Sequence, residues 1–203
     1  MEYKIISSGS KGNCVTINKN IMVDCGVSFK EIKDDLYDVK YLLITHIHSD
    51  HVNYNTFQLI LKRFPMIKII GNYEVANQFH CHHIANEGFD VVTDDYIFYP
   101  FLCDHDVLTY GFTFKADGNE IIYVTDTGTL RNAPVKKYDY FFLESNHDEA
   151  KLEAARNEYK GSYNPYLSGK RHLSTQAAKA FYYTNRRSRE SEFIELHKSQ
   201  RFY

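Results

Sequence analysis

Residues able to bind a metal crowd into one short stretch, Tyr41–Val52, which reads YLLITHIHSDHV. An apolar run leads directly into His46, His48, Asp50 and His51. In an extended segment His46 and His48, two apart, point to the same side. Asp50 and His51 follow where the chain turns into its next element. Two imidazoles can then face one centre, and a carboxylate with an imidazole a second. Neutral imidazole and carboxylate are good ligands for zinc or a similar divalent ion. Packed together without a cation, these groups would lose water and gain few partners, which is expensive. A solvated histidine-rich loop is the bland alternative, and it is the better one for any lone histidine. The whole H-x-H-x-D-H pattern at a strand end favours a metal site.

The strands that must present such a site are legible in the first half. Tyr3–Ile6, Cys14–Ile17, Ile21–Asp24 and Tyr41–Thr45 are strand-like, with Gly9, Gly12, Asn13 and Gly26 punctuating the gaps. Phe29–Leu36 and Thr56–Phe64 read as helices, the second stopped by Pro65. Lys68–Ile70 reads as a strand and Glu74–Ile84 as a helix carrying His80, Cys81, His82 and His83 on a solvated face. In the second half Tyr96–Leu102, Thr109–Lys115, Glu120–Thr125, Tyr140–Glu144 and Phe193–Leu196 are strands. The ADGN between two of them is a hairpin signal. Ser174 or Thr175 caps a helix through Phe181. Strands interspersed with helices, with polar residues at the strand ends, predict an α/β sandwich. His105 and Asp126 also fall just after strands. Each alone is a weak candidate, since a lone aspartate there is commonly a turn residue.

Composition bounds the function. The 203 residues carry a formal charge of −2, so no global basic field draws in a long polyanion. Cys14, Cys25, Cys81 and Cys103 lack C-x-x-C spacing and read as reduced thiols. Neither a signal peptide nor a membrane span is expected, and the expected compartment is the cytoplasm, of a host cell if the gene is viral.

Further motifs narrow the reading. SSGSKGN (7–13), VDCG (23–26), THIHSDH (45–51), DHD (104–106), TDTG (125–128), LESNHD (143–148) and RHLSTQAA (171–178) resemble, in order and spacing, the YycJ/WalJ-like branch of the metallo-β-lactamase superfamily. HLSTQAA and the terminal LHKSQRFY are similar to the closing motifs of ribonuclease Z. The resemblance implies a four-layer αββα sandwich forming a single domain, residues 1–203. It implies that His46, His48 and His105 hold one divalent ion, that Asp50, His51 and His197 hold another, and that Asp126 bridges them. Zinc is the first expectation and manganese the second. His172 is the alternative to His197. Otherwise it serves the leaving group, with Glu144 orienting it; Asp50 and His147 complete the catalytic candidates.

The resemblance implies a phosphodiesterase, and four readings follow. Ribonuclease Z relatives carry a long arm for tRNA, and about 22 residues between Asp148 and Arg171 are too few for one. Phage anti-Pycsar proteins, compact phosphodiesterases of this fold that destroy cyclic nucleotide signals, are similar in motifs and dimeric. The first expectation is therefore a small cyclic nucleotide substrate and a homodimer, with no membrane partner. Tyr163 and Tyr166 would then stack on a base, and Lys170 and Arg171 would pair with phosphate; a plain surface loop is the alternative there. The second reading is a DNA or RNA nuclease, favoured if Lys62, Arg63, Arg186, Arg187 and Arg189 form a basic stripe beside the cleft. The third is a non-catalytic binding module, and the fourth a hydrolase of lactams or thioesters.

Overall fold

Apolar runs buried on both faces require sheets packed back to back with helices outside, and the computed structural model has that form. It describes residues 1–157 and 164–203. Tyr163 lies outside the described residues. One sheet holds β1 (Tyr3–Ser7), β2 (Cys14–Ile17), β3 (Ile21–Val23), β4 (Tyr41–Ile44), β5 (Lys68–Gly71) and β6 (His83–Ile84), in that order. The other holds β7 (Val91–Val92), β8 (Ile97–Cys103), β9 (Thr109–Ala116), β10 (Asn119–Val124), β11 (Tyr140–Glu144) and β12 (Glu192–Leu196), also side by side in order.

The period-2 alternation of strands assigns each side chain to a layer. Tyr41 and Leu43 of β4, Ile121 and Tyr123 of β10 and Phe142 of β11 meet in the core between the sheets. Their neighbours Leu42 and Ile44 face the helices α1 (Phe29–Ile32), α2 (Tyr54–Arg63) and α3 (Tyr73–Gln78). On the far side Ile122, Val124, Phe141 and Leu143 face α6 (Thr175–Asn185). Two short helices, α4 (Glu149–Ala154) and α5 (Pro165–Gly169), pack separately through Leu152, Tyr166 and Phe202. The result is the expected α/β sandwich in four αββα layers. Among the described residues, no helix is long and apolar enough to cross a membrane.

One expectation fails. The helix predicted over Glu74–Ile84 ends at Gln78, where the Phe79 N–H closes on the Val75 carbonyl. The chain then extends, and His83 and Ile84 pair with Ile70 and Gly71 of β5. Pairing with an open sheet edge overrides local helix propensity here. His82 Nδ1 accepts the Ile69 N–H at 3.1 Å, so that histidine caps a sheet edge.

Strand direction gathers the site. β3 and β4 are parallel, as are β10, β11 and β12. β8 runs antiparallel to β9 and β9 antiparallel to β10, so β8 also runs with β10. The carboxyl ends of these strands therefore reach a common rim, the usual place for ligands in α/β sheets. Three residues at that rim, Asp24, Asp126 and His197, sit in left-handed backbone with φ of 60°, 50° and 51°. Such a conformation costs about 1–2 kcal/mol per residue, and it turns the chain sharply as each strand ends.

Close backbone packing fixes the His46–Val52 loop. Asn13 N–H donates to the Asp50 carbonyl at 2.7 Å and Cys25 N–H to the His51 carbonyl at 2.8 Å. Gly26 is essential to this approach, because a Cβ there would stand 1.7 Å from the Asp50 carbonyl oxygen. Gly26→Ala is expected to destabilise by about 3 kcal/mol, lowering Tm by roughly 6–12 °C. Thermal denaturation of the variant against the parent chain checks this, and an unchanged Tm would contradict the packing described.

Candidate metal centre and catalytic cleft

Burial and strand-end placement bring the candidate ligands together. His46 follows β4, and His48, Asp50 and His51 lie on the loop that leads into α2, whose Asn53 side chain caps the helix by accepting the Thr56 N–H. His105 follows β8, Asp126 follows β10, and His197 follows β12. His46 Nε2 lies 3.1 Å from His48 Nδ1, which lies 3.4 Å from His105 Nε2. Nitrogens sharing a tetrahedral zinc ion would be about 3.3 Å apart, so this triad fits an ion. Asp50, His51 and His197 form a second group within 4.8 Å, and His46, His51 and Asp126 form a third. His172 is absent from the Asp50 group and belongs with Asp126, Glu144 and His197. The geometry thus sets His197, and not His172, beside Asp50 and His51.

Asp126 joins the halves of the site. Its carboxylate lies 2.5 Å from His51 Nε2, 3.3 Å from His172 Nδ1, 3.4 Å from His197 Nε2 and 3.7 Å from His46 Nε2. Burial opposes its charge, yet the facing His51 and His197 hold its carboxyl well below the usual range. Burial, followed by the charge of His51, pushes His46 well below its ordinary value. That leaves the neutral imidazole a metal requires. For His51 burial opposes the charge too, but Asp126 and Asp24 on either side raise its pKa well above normal.

His172 stands apart in role. Its Nδ1 is 2.6 Å from Glu144 Oε1, and Glu144 Oε2 accepts the Thr127 N–H at 2.7 Å. Burial again disfavours the charged ring, but the hydrogen bonds to Asp126 and Glu144 raise its pKa to about 10. The ring borders two grooves. The first, about 450 Å³, is bordered by Ser8, Lys11, His197, Lys198 and Arg201. The second is bordered by His147, Glu149, Glu153 and Lys170. His147 belongs to none of the ligand groups. Arg171 reaches across to Asp106 at 3.7 Å, and the Tyr166 hydroxyl donates to Glu153 at 3.0 Å.

The basic stripe expected from Lys62, Arg63, Arg186, Arg187 and Arg189 is not beside this cleft. α2 starts at the rim and its ten residues run away from it, carrying Lys62 and Arg63 to the far end. Arg187 pairs with Asp139 at the opposite end of β11 from Glu144. Among the described residues, the lysines and arginines at the cleft are Lys11, Lys198, Arg201, Lys170 and Arg171. Sequence reading also passed over Asp24. It is fully buried, accepts the Thr45 N–H at 2.8 Å and lies 2.7 Å from His51 Nδ1. The signal was present, since VDCG sets an acid directly after an apolar strand as His46 and Asp126 are set.

The sequence profile of the metallo-beta-lactamase superfamily matches residues 9–133. The exodeoxyribonuclease WalJ of Streptococcus pneumoniae is 27% identical over 86% of this chain and 73% of its own length. The exodeoxyribonuclease YycJ of Bacillus anthracis is 26% identical over 77% of this chain and 67% of its own. Among solved structures, the short form of human tRNase Z superposes with a TM-score of 0.69 at 15% identity, covering 99% of this chain and 94% of that one.

The carboxylate behind His51 fixes the ring and raises its basicity. Asp24→Asn is expected to weaken binding of the second equivalent of zinc by about 10–100-fold, leaving the first unchanged. Calorimetric titration of the apo-protein reads both steps, and two unaltered affinities would remove Asp24 from this role.

Proposed function

The chain belongs to the metallo-beta-lactamase superfamily, and from that premise we propose that it is a nuclease, cleaving phosphodiester bonds of DNA or RNA at a two-metal centre. It is a metal-dependent hydrolase. Two observations support a polymer over the small cyclic nucleotide expected first. The relatives WalJ and YycJ are exodeoxyribonucleases, and two grooves meet at His172. A chain uses both grooves, whereas a cyclic mononucleotide needs one compact pocket. The cyclic-nucleotide reading, which rests on the similarity to anti-Pycsar motifs, the compact chain, its negative charge and the missing arm, becomes the secondary one.

The observation that carries the proposal is the Glu144–His172 pair between those grooves. Bound divalent ions, zinc first given the imidazole-rich donors, would supply Lewis acidity and an activated water. His46, His48 and His105 would hold one ion, Asp50, His51 and His197 the other, with Asp126 between them. The remaining chemistry belongs to the protein. Glu144 fixes the His172 ring through Nδ1 and leaves Nε2 free for substrate. A protonated His172 donates to the leaving alkoxide as the P–O bond breaks. Asp50, partly exposed, accepts a hydrogen bond from the attacking water and so orients it. Lys11 and Lys198 attract the flanking phosphates. Cytoplasmic residence and a homodimer belong to this proposal, and sedimentation reads the second.

Incubation of the metal-loaded protein with single-stranded DNA, duplex DNA, tRNA and 3′,5′-cyclic mononucleotides tests the reading. Turnover of a polymer is expected, and turnover of cyclic nucleotides alone would overturn it. His172→Ala is expected to lower kcat by about 10²–10⁴-fold with the metal content unchanged by elemental analysis. A variant that lost its metal instead would make His172 a ligand.

A further inference from the structure

The two grooves that meet at His172 differ in charge. Among the described residues, Lys11, Lys198 and Arg201 border the first with serines and glycines and no carboxylate does, while Lys198 is held 2.9 Å from Glu195 behind it. Among the described residues the second is bordered by Glu149 and Glu153 with Lys170 and His172, and Arg156 pairs with Glu153 from outside it, so Glu149 is the carboxylate without a cation partner there. Glu149 Oε1 accepts the Ser174 hydroxyl at 2.6 Å, which holds the carboxylate in place and leaves its other oxygen available. Glu153 accepts from the Tyr166 hydroxyl and from Arg156, each at 3.0 Å. Acidic side chains alone would be an ordinary solvated surface. His147 supplies an independent sign of a ligand. It is 4% exposed and borders this groove, and its Nδ1 is buried without a hydrogen-bond partner among the described residues. Buried polar atoms are rarely left unpaired in native proteins.

A group that suits this groove must both donate and accept hydrogen bonds and carry no negative charge. A sugar hydroxyl does so, donating to Glu149 and pairing with the His147 ring, and base amino groups also suit the carboxylates. A phosphate only accepts at neutral pH and is repelled there. We propose that the second groove is a subsite for the uncharged terminal nucleoside of a nucleic acid strand, while the continuing phosphodiester chain lies in the first groove. The cut then falls beside a chain end that bears a free hydroxyl. This inference rests on the nuclease reading of the same centre. It adds that Glu149 and His147 select the terminus and that a terminal phosphate is disfavoured.

The test uses the zinc-loaded full chain and three forms of one single-stranded oligonucleotide. One is phosphorylated at the 5′ end, one at the 3′ end, and one at neither. One of the two phosphates is expected to raise KM on the order of tenfold with kcat little changed, and to weaken binding in fluorescence anisotropy by a similar factor. Glu149→Gln keeps an acceptor for Ser174 but removes the charge, and it is expected to narrow that discrimination to within about twofold. Glu153→Gln carries the same comparison should the first variant not fold. Equal KM and equal binding for all three forms would overturn the subsite, as would discrimination that survives in the folded variant. Bis(p-nitrophenyl) phosphate separates the two levels, since it engages the metal centre and has no terminal nucleoside. Its hydrolysis together with indifference to the terminus would reject the subsite and leave the phosphodiesterase centre standing. If no phosphodiester is hydrolysed, the nuclease reading fails, and anisotropy still decides whether the groove discriminates.

Discussion

A single buried carboxylate holds this molecule's chemistry together. Asp126 lies within 3.7 Å of four imidazoles, from loops that end β4, lead into α2, precede α6 and follow β12. No such arrangement forms unless both sheets are complete, because His46 and His51 come from one and Asp126 and His197 from the other. Desolvating so many ionisable groups opposes folding. The apolar layers on either side must outweigh that cost, and β3 and β4, with the rim-ward ends of β10 and β11, are buried on both faces. A cation shared by these residues would offset that cost, and metal binding would then be linked to folding.

The backbone contributes as much as the side chains. Asp24, Asp126 and His197 each take left-handed φ where a strand meets the rim. Aspartate and histidine tolerate this better than β-branched residues do. The turn releases the chain from the sheet at the point where its side chain must face the centre. Gly12 and Gly26 solve the matching problem in the loops beneath, where two backbones approach more closely than any Cβ allows. Strain and close packing are concentrated where the ligands lie, as is common at functional sites.

Strand positions were legible from local pattern, and so was the gathering of histidines and acids at strand ends; the assignment of particular residues to particular ions came from the resemblance alone. Apolar runs of four to six residues mark buried strands, and an acid or histidine at the end of such a run marks the rim. Asp24 obeys the same rule and was passed over because it reaches the cluster only through His51. What failed depended on long-range pairing or direction. Nothing local reveals that His83 and Ile84 complete a sheet edge, because the partner strand β5 supplies the missing hydrogen bonds. The misplaced basic stripe has a different cause. Lys62 and Arg63 follow the metal motif in sequence, but α2 carries them away from it in space.

Net charge is a weak guide to the substrate. A formal charge of −2 seems to oppose a polyanionic substrate. What a substrate meets is the local field, and a cleft focuses it. At the rim Lys11 and Lys198 flank one side of His172, while the carboxylates of Glu149 and Glu153 occupy the other. The same histidine therefore sits at a boundary between positive and negative potential. A nucleic acid strand of the kind proposed above would have its charged continuation attracted on one side and repelled on the other. On the proposed reading, the orientation of the strand, and hence which P–O bond would face His172, would follow from that asymmetry.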